Sequence, residues 1–130
     1  MPYFVWKESF NTGNSEIDAQ HRSIVDKINA LHDCHGQADR EVVAGIIAEL
    51  TRYTIEHFLL EEEMFDRVDY PESNSHRRQH ELFREKLAAL GHDFDLGRSG
   101  IVGDILQFLK EWFTNHILNE DTKYKAGIPR

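Results

Sequence analysis

The sequence predicts an all-α, up-down-up-down four-helix bundle with an extended arm at its N-terminus. Two observations favour this fold. Apolar residues recur at helical spacing in four stretches, and turn residues separate those stretches by short connections. With 130 residues, 40% of them apolar and only 3 of them proline, the chain fits a single domain over 1–130 with a sizeable core.

The first helix is predicted from Ser15 to His35, and the second from about Asp39 to Phe65. Ser15 is expected to cap the first helix and Gly36 to end it. Residues 68–71, VDYP, are expected to close the second segment, because the residue before a proline is disfavoured in helical geometry. The predicted inward residues are Ile17, Ile24, Ile28 and Leu31 in the first helix, and Val43, Ile46, Leu50, Tyr53 and Met64 in the second.

The third helix is predicted from about Pro71 to Leu90 and the fourth from Ile101 to Asn119, with a loop from Gly91 to Gly100 between them. The same periodicity assigns the residues of these helices that face the core. They are Phe83, Leu87 and Leu90 in the third helix, and Val102, Ile105, Leu109 and Trp112 in the fourth.

Charge and composition argue against several classes of partner. With 15 Lys+Arg against 23 Asp+Glu, the formal charge is −8, so we expect no nucleic-acid partner. No apolar run approaches the ~18–20 residues of a membrane span, and the N-terminus lacks the pattern of a secretory signal. Cys34 is the single cysteine, which excludes an intramolecular disulfide. We therefore expect a cytoplasmic protein.

Six polar side chains occupy positions where the apolar stripes predict core residues. Burying them without partners would cost on the order of a few kcal/mol each, and more for an ionised glutamate. One buried histidine bonded to a carbonyl group is ordinary, but six such residues on four helices need a common partner. The six residues are His21, His57, Glu61, His76, His80 and His116.

These six residues are also expected at one height in the bundle. They lie near the starts of the first and third helices and near the ends of the second and fourth. In an antiparallel bundle those places share one end, so the side chains form one layer. The pairs His57/Glu61 and His76/His80 are four residues apart, which places each pair on one helix face. This spacing suits one metal ion or two adjacent ions.

The spacing and chemistry leave two questions open. Asp121 is five residues after His116, so it can join the layer only if the end of the helix loosens. Oxygen and imidazole donors without thiolate suit iron, but they do not exclude zinc or copper. A metal ion that only holds the bundle together is the simpler alternative.

The same residues resemble the signature of the hemerythrin family. The matching motifs are His21, HFLLE at 57–61, HRRQH at 76–80 and HILNED at 116–121. Trp6, Phe10, Gly13, IDAQH at 17–21, Tyr70 and EWFTNHI at 111–117 match as well. The similarity runs from Trp6 to Tyr124, and the single-domain form resembles the bacterial hemerythrins.

The resemblance implies a non-haem di-iron centre. His76, His80 and His116 would bind one iron, His21 and His57 the other, and Glu61 and Asp121 would bridge both, with a hydroxide as the third bridge. The implied function is reversible dioxygen binding for oxygen storage, transport or delivery to an oxygen-consuming enzyme, by a monomer that is not an enzyme. Alternatives are sensing of oxygen, redox state or nitric oxide, and di-iron redox activity as an oxidase or in iron repair.

The resemblance also directs attention to the oxygen pocket. Many family members carry leucine three residues before the last histidine, where this chain has Phe113, so the ring is expected to alter the pocket. Phe58, Phe83 and Ile117 are the other candidate pocket residues. We expect the other histidines to be solvated or to cap helices, the other glutamates of the acidic run to be solvated, and the tryptophans to pack in the core without a role in the site. These residues are His32, His35, His92, Glu62, Glu63, Trp6 and Trp112. Tyr70 and Tyr124 could serve the site through hydrogen bonds, and ordinary packing is the alternative.

Overall fold

The computed structural model describes residues 3–34 and 40–119 and confirms the four-helix bundle. The helices are α1 (Ser15–Cys34), α2 (Arg40–Val68), α3 (Ser73–Asp95) and α4 (Ile101–Asn119), and the arm before α1 holds a short 3₁₀ turn, Glu8–Phe10. The described residues contain no strand. His35, Gly36 and Asp39, which the sequence assigned to helix ends, lie outside the described residues.

The N-terminal cap of α1 is Asn14, so the prediction of Ser15 is wrong by one residue. The Asn14 side-chain oxygen accepts hydrogen bonds from the backbone N–H groups of Glu16 and Ile17, at 3.0 and 3.1 Å. These groups have no carbonyl partner within the helix, and the side chain satisfies them. The Asp18 carboxylate accepts hydrogen bonds from the Thr12 backbone N–H and hydroxyl, which ties the arm to the start of α1.

Helix α2 continues three residues beyond the predicted end and then stops as Pro71 requires. Asp69 follows the helix with a φ of 49°, the left-handed conformation that reverses the chain. The Tyr70 backbone N–H then bonds the Phe65 carbonyl at 3.1 Å, which is the Schellman pattern of helix termination. The turn delivers the chain directly into α3.

Helix α3 runs through Gly91 to Asp95, so the predicted end at Leu90 is wrong. The extra turn buries Phe94, and the Arg40 guanidinium lies 4.2 Å from the centre of the Phe94 ring. An isolated glycine weakens a helix by only ~1 kcal/mol relative to alanine, and burial of one aromatic ring offsets that cost. The turn that ends α3 uses Gly97, at a φ of 73°.

The apolar stripe of α2 differs from the prediction at two positions. Ile47 and Thr54 are buried, whereas Ile46 and Tyr53 are only half-buried. Val43, Leu50 and Met64 lie in the core as expected. Spacings of three and four residues are both compatible with a helix face, so sequence periodicity alone does not distinguish the neighbouring positions.

The predicted arm packs across α1. Phe4 forms two hydrogen bonds with the side-chain amide of Asn29, one through its backbone N–H at 2.8 Å and one through its carbonyl at 2.9 Å. Phe4 and Phe10 are buried, and the Trp6 ring packs edge-on against Phe10. The arm therefore belongs to the core of the bundle.

The buried apolar side chains form two separate clusters. The large cluster fills the bundle from the end that holds Leu31, Val43 and Ile101 as far as Phe58 and Phe113. The small cluster lies at the other end and comprises Ile17, Met64, Phe65 and Tyr70, with Val68 packed against it. No helix in the part of the chain that the structure describes is long and apolar enough to cross a membrane.

Candidate metal centre

All six described residues of the predicted layer are buried, and they meet at one height between the two apolar clusters. They form two groups that could hold metal ions, and these groups share Glu61. The exposed fraction of each of the six side chains is 4% or less. Asp121, the seventh predicted ligand, lies outside the described residues.

The first group contains three histidines, and its donor atoms are closely spaced. The Nε2 atoms of His76 and His80 are each 3.0 Å from Glu61 Oε1. The Nε2 atoms of His76 and His116 are also 3.0 Å apart. Two donors held about 2.1 Å from one metal ion at a right angle lie about 3.0 Å apart, so this spacing fits one ion.

The second group contains two histidines and is more open. The Nε2 atoms of His57 and His21 lie 3.6 and 3.9 Å from Glu61 Oε2, the other oxygen of the same carboxylate. Glu61 therefore faces one histidine group with each of its oxygens. Its side chain is fully buried, so the negative charge needs a positive partner within the layer.

The outward-facing nitrogens of three histidines have hydrogen-bond partners on neighbouring helices. His57 Nδ1 lies against the side-chain oxygen of Gln20. His80 Nδ1 is 2.8 Å from Glu62 Oε2, and His116 Nδ1 is 2.8 Å from Gln79 Oε1. A histidine that donates from Nδ1 to an acceptor presents the lone pair of Nε2, which is the form that binds metal. The residues therefore fit a metal centre in both spacing and donor chemistry.

Two aromatic side chains stack on histidine rings of the first group and restrict their orientation. The Phe58 ring stacks on His80 with ring centres 3.8 Å apart and an interplanar angle of 7°. The half-buried Trp112 stacks on His116 at 4.3 Å and 16°. Trp112 was expected to pack in the core without a role in the site, but its ring lies directly on a candidate ligand.

Glu62 was predicted to belong to a solvated acidic face, and this prediction is wrong. Its side chain is 17% exposed, and His80 binds it on the side away from the layer. Burial raises the pKa of Glu62, but the hydrogen bond of His80 and the charges of Arg84 and Arg77 outweigh that effect, so the pKa lies below its ordinary value. Glu63, the next residue, is exposed as expected.

The sequence analysis missed the roles of Gln20, Glu62 and Gln79. Each of them is adjacent in sequence to a candidate ligand, but it contacts a histidine of the following helix. An amide or carboxylate next to a ligand residue was the available signal. Only the packing of the helices shows which histidine each one reaches.

The other predicted residues have the expected environments where the structure describes them. His32 and His92 are exposed and do not belong to either group. Tyr70 is buried against Phe65, with ring centres 4.9 Å apart, and Phe65 in turn packs on His76. The candidate pocket residues are all buried: Phe58, Phe83, Phe113 and Ile117. His35 and Tyr124 lie outside the described residues.

Comparison with known proteins agrees with the geometry of the layer. The sequence model of the family described as the hemerythrin HHE cation binding domain matches residues 12–127. The chain belongs to the hemerythrin family. Members of this family are mainly oxygen binders rather than enzymes.

Individual hemerythrins are similar over almost the whole chain. A bacteriohemerythrin of Pseudomonas aeruginosa is 38% identical over 129 residues, which are 98% of this chain and 83% of the relative. A hemerythrin-like protein of Naegleria gruberi is 36% identical, over 96% of this chain and 93% of the relative. The crystal structure of a wild-type hemerythrin is 27% identical with a TM-score of 0.90, covering 96% of this chain and 97% of that chain.

Proposed function

We propose that this protein binds dioxygen reversibly at a di-iron centre, for storage, transport or delivery of oxygen to an oxygen-consuming enzyme. One observation carries the proposal beyond family membership. Glu61 lies between a group of three histidines and a group of two, with one carboxylate oxygen toward each. A single structural ion needs one closed set of ligands, whereas this arrangement offers two sets joined by a shared carboxylate.

The proposed ligands divide between the two iron positions. His76, His80 and His116 would hold one iron, His21 and His57 would hold the other, and Glu61 and Asp121 would be shared between them, together with a hydroxide. When bound, the pair of irons would supply the two electrons that reversible oxygen binding requires. The position with only two histidines would be the one that leaves room for dioxygen.

The protein contributes orientation and the exclusion of water. The apolar clusters on both sides of the layer keep solvent away from the pocket, and Phe58 and Phe113 supply buried rings on the side of the large cluster. A dry pocket limits the proton supply that would make oxygen binding irreversible.

We further propose that residues 1–130 form one domain, that the protein is a cytoplasmic monomer, and that it is not an enzyme.

Iron analysis and anaerobic optical spectroscopy test this proposal. Protein expressed in iron-replete medium is expected to contain about two irons per chain, as a carboxylate-bridged pair in a bundle requires. The reduced protein should gain a visible absorption band on exposure to oxygen and lose it under argon.

Two variants complete the test. His57→Ala should abolish this cycle of oxygen binding and release, whereas His92→Ala, at an exposed histidine outside the site, should preserve it. One tightly bound zinc without iron would overturn the proposal. Oxidation that argon does not reverse would instead indicate sensing or redox activity.

A further inference from the structure

The hydrogen bonds behind three candidate ligands follow a regular pattern along the chain. Gln20 of α1 contacts His57 of α2, Glu62 of α2 contacts His80 of α3, and Gln79 of α3 contacts His116 of α4. Each helix thus supplies the acceptor for a histidine on the next helix. The three acceptors are not equivalent, because two are neutral amides and one is a carboxylate.

This difference in charge has a direct chemical consequence for His80. An ionised carboxylate can only accept hydrogen bonds, so Glu62 places the proton of His80 on Nδ1 and leaves the Nε2 lone pair toward the layer. A glutamine amide can rotate to present either its oxygen or its N–H₂ group, so it restricts the protonation of a histidine less strictly. A hydrogen bond to a charged acceptor is also roughly twice as strong as one between neutral groups.

Two arginines of α3 stabilise the negative charge of Glu62. Arg84 Nη2 lies 3.7 Å from Glu62 Oε2, and Arg77 Nε lies 3.9 Å from Glu62 Oε1. Arg77 also donates a hydrogen bond to the backbone carbonyl of Glu62 at 3.3 Å. The charge is therefore fixed at the edge of the layer, although Glu62 is mostly buried. The stacked Phe58 ring keeps His80 in the orientation that this hydrogen bond requires.

We propose that Glu62 is a positioning residue that makes His80 a stronger electron donor than His57 and His116, which contact neutral amides, and lowers the reduction potential of the iron that His80 would hold. This inference rests on the proposed function. A carboxylate behind an imidazole raises the basicity of the ligand, and such outer partners typically change metal affinity 10–100-fold when they are removed. Greater electron donation favours the oxidised metal, so the carboxylate behind His80 would lower the potential of the iron that His80 holds.

Glu62→Gln tests the proposal, because it keeps the size and one acceptor oxygen while it removes the charge. Redox titration of the iron-loaded protein should show an equilibrium shifted about tenfold toward the reduced form, a rise of about 59 mV for a one-electron couple. Transfer of iron to a chelator should also be at least tenfold faster. Glu63→Gln is the matched control, because it removes the same charge from the adjacent exposed residue. It should change neither quantity by more than about twofold.

A reciprocal variant covers the case in which Glu62→Gln does not retain iron. Gln79→Glu places a carboxylate behind His116 and should lower the potential by a similar amount. Equal shifts in Glu62→Gln and Glu63→Gln, or an unchanged potential in both Glu62→Gln and Gln79→Glu, would overturn the proposal. Oxygen binding and release by the wild-type protein are measured on the same preparation. If the wild-type protein does not bind oxygen reversibly, the proposed function is refuted, but the reduction potentials of the variants still decide the role of Glu62.

Discussion

The two ends of the bundle are stabilised in different ways. At the end where α1 leads into α2, apolar side chains such as Ile28, Leu31 and Ile105 are fully buried against one another. At the opposite end, five histidines and a glutamate occupy the equivalent positions between the two apolar clusters. Apolar burial stabilises a fold directly, whereas buried polar groups stabilise it only when their partners are present. The comparison predicts that the stability of the metal-ligand end would depend on bound ions, whereas that of the apolar end would not.

Removal of iron should produce the largest effect, and it should act mainly at the metal-ligand end. Ions that bind only the folded protein stabilise it by about 4 kcal/mol at 1,000 times their Kd, so the metal-free protein should melt at least 10 °C lower. Hydrogen exchange should accelerate for backbone amides near His21 and His76, while those near Ile28 and Ile105 stay protected. Equal melting temperatures with and without iron would contradict the comparison.

Phe113→Leu probes the boundary between the two ends, because Phe113 belongs to the large apolar cluster and lies one turn before His116. The substitution should cost about 1–3 kcal/mol and leave the iron content unchanged. The added space should admit water, so stopped-flow measurements should show faster oxygen release and autoxidation.

Leu109→Ala is the matched control for this substitution, one turn farther into the apolar end. It should cost more, about 2–5 kcal/mol, because it leaves a larger cavity in the core. It should not change the oxygen kinetics, because Leu109 is two turns from His116. If Phe113→Leu leaves the oxygen kinetics unaltered, the pocket lies elsewhere in the layer.

The smallest predicted effect concerns the apolar end alone. Gly45 lies in α2, and a Cβ atom added there would meet nothing within 4 Å. Gly45→Ala should therefore raise the free energy of unfolding by about 0.5–1 kcal/mol.

Gly100→Ala is the opposite case. It should lower the free energy of unfolding by about 1–2 kcal/mol, because Gly100 has a φ of 75°. Chemical denaturation measures both changes. A change in iron content in either variant would show that the two ends are coupled.

The sequence by itself determined the number of helices and six residues of the layer. Helical periodicity places His21 in line with Ile17 and Ile24, and a spacing of four residues places both members of the pair His76/His80 on one face. These relations depend only on the geometry of a single helix. The height of the layer followed as well, because antiparallel helices of similar length bring the same ends together.

Only the tertiary structure decided which neighbouring residues support the site. Glu62 and Glu63 are both off the stripe of α2, but only Glu62 faces α3, where His80 and the two arginines surround it. For the same reason, the sequence did not show that Ile47 is buried in place of Ile46. A rotation of one helix by a fraction of a turn changes which residue meets the next helix, and that rotation is set by packing against the other three helices. The periodicity of one helix contains no information about this rotation.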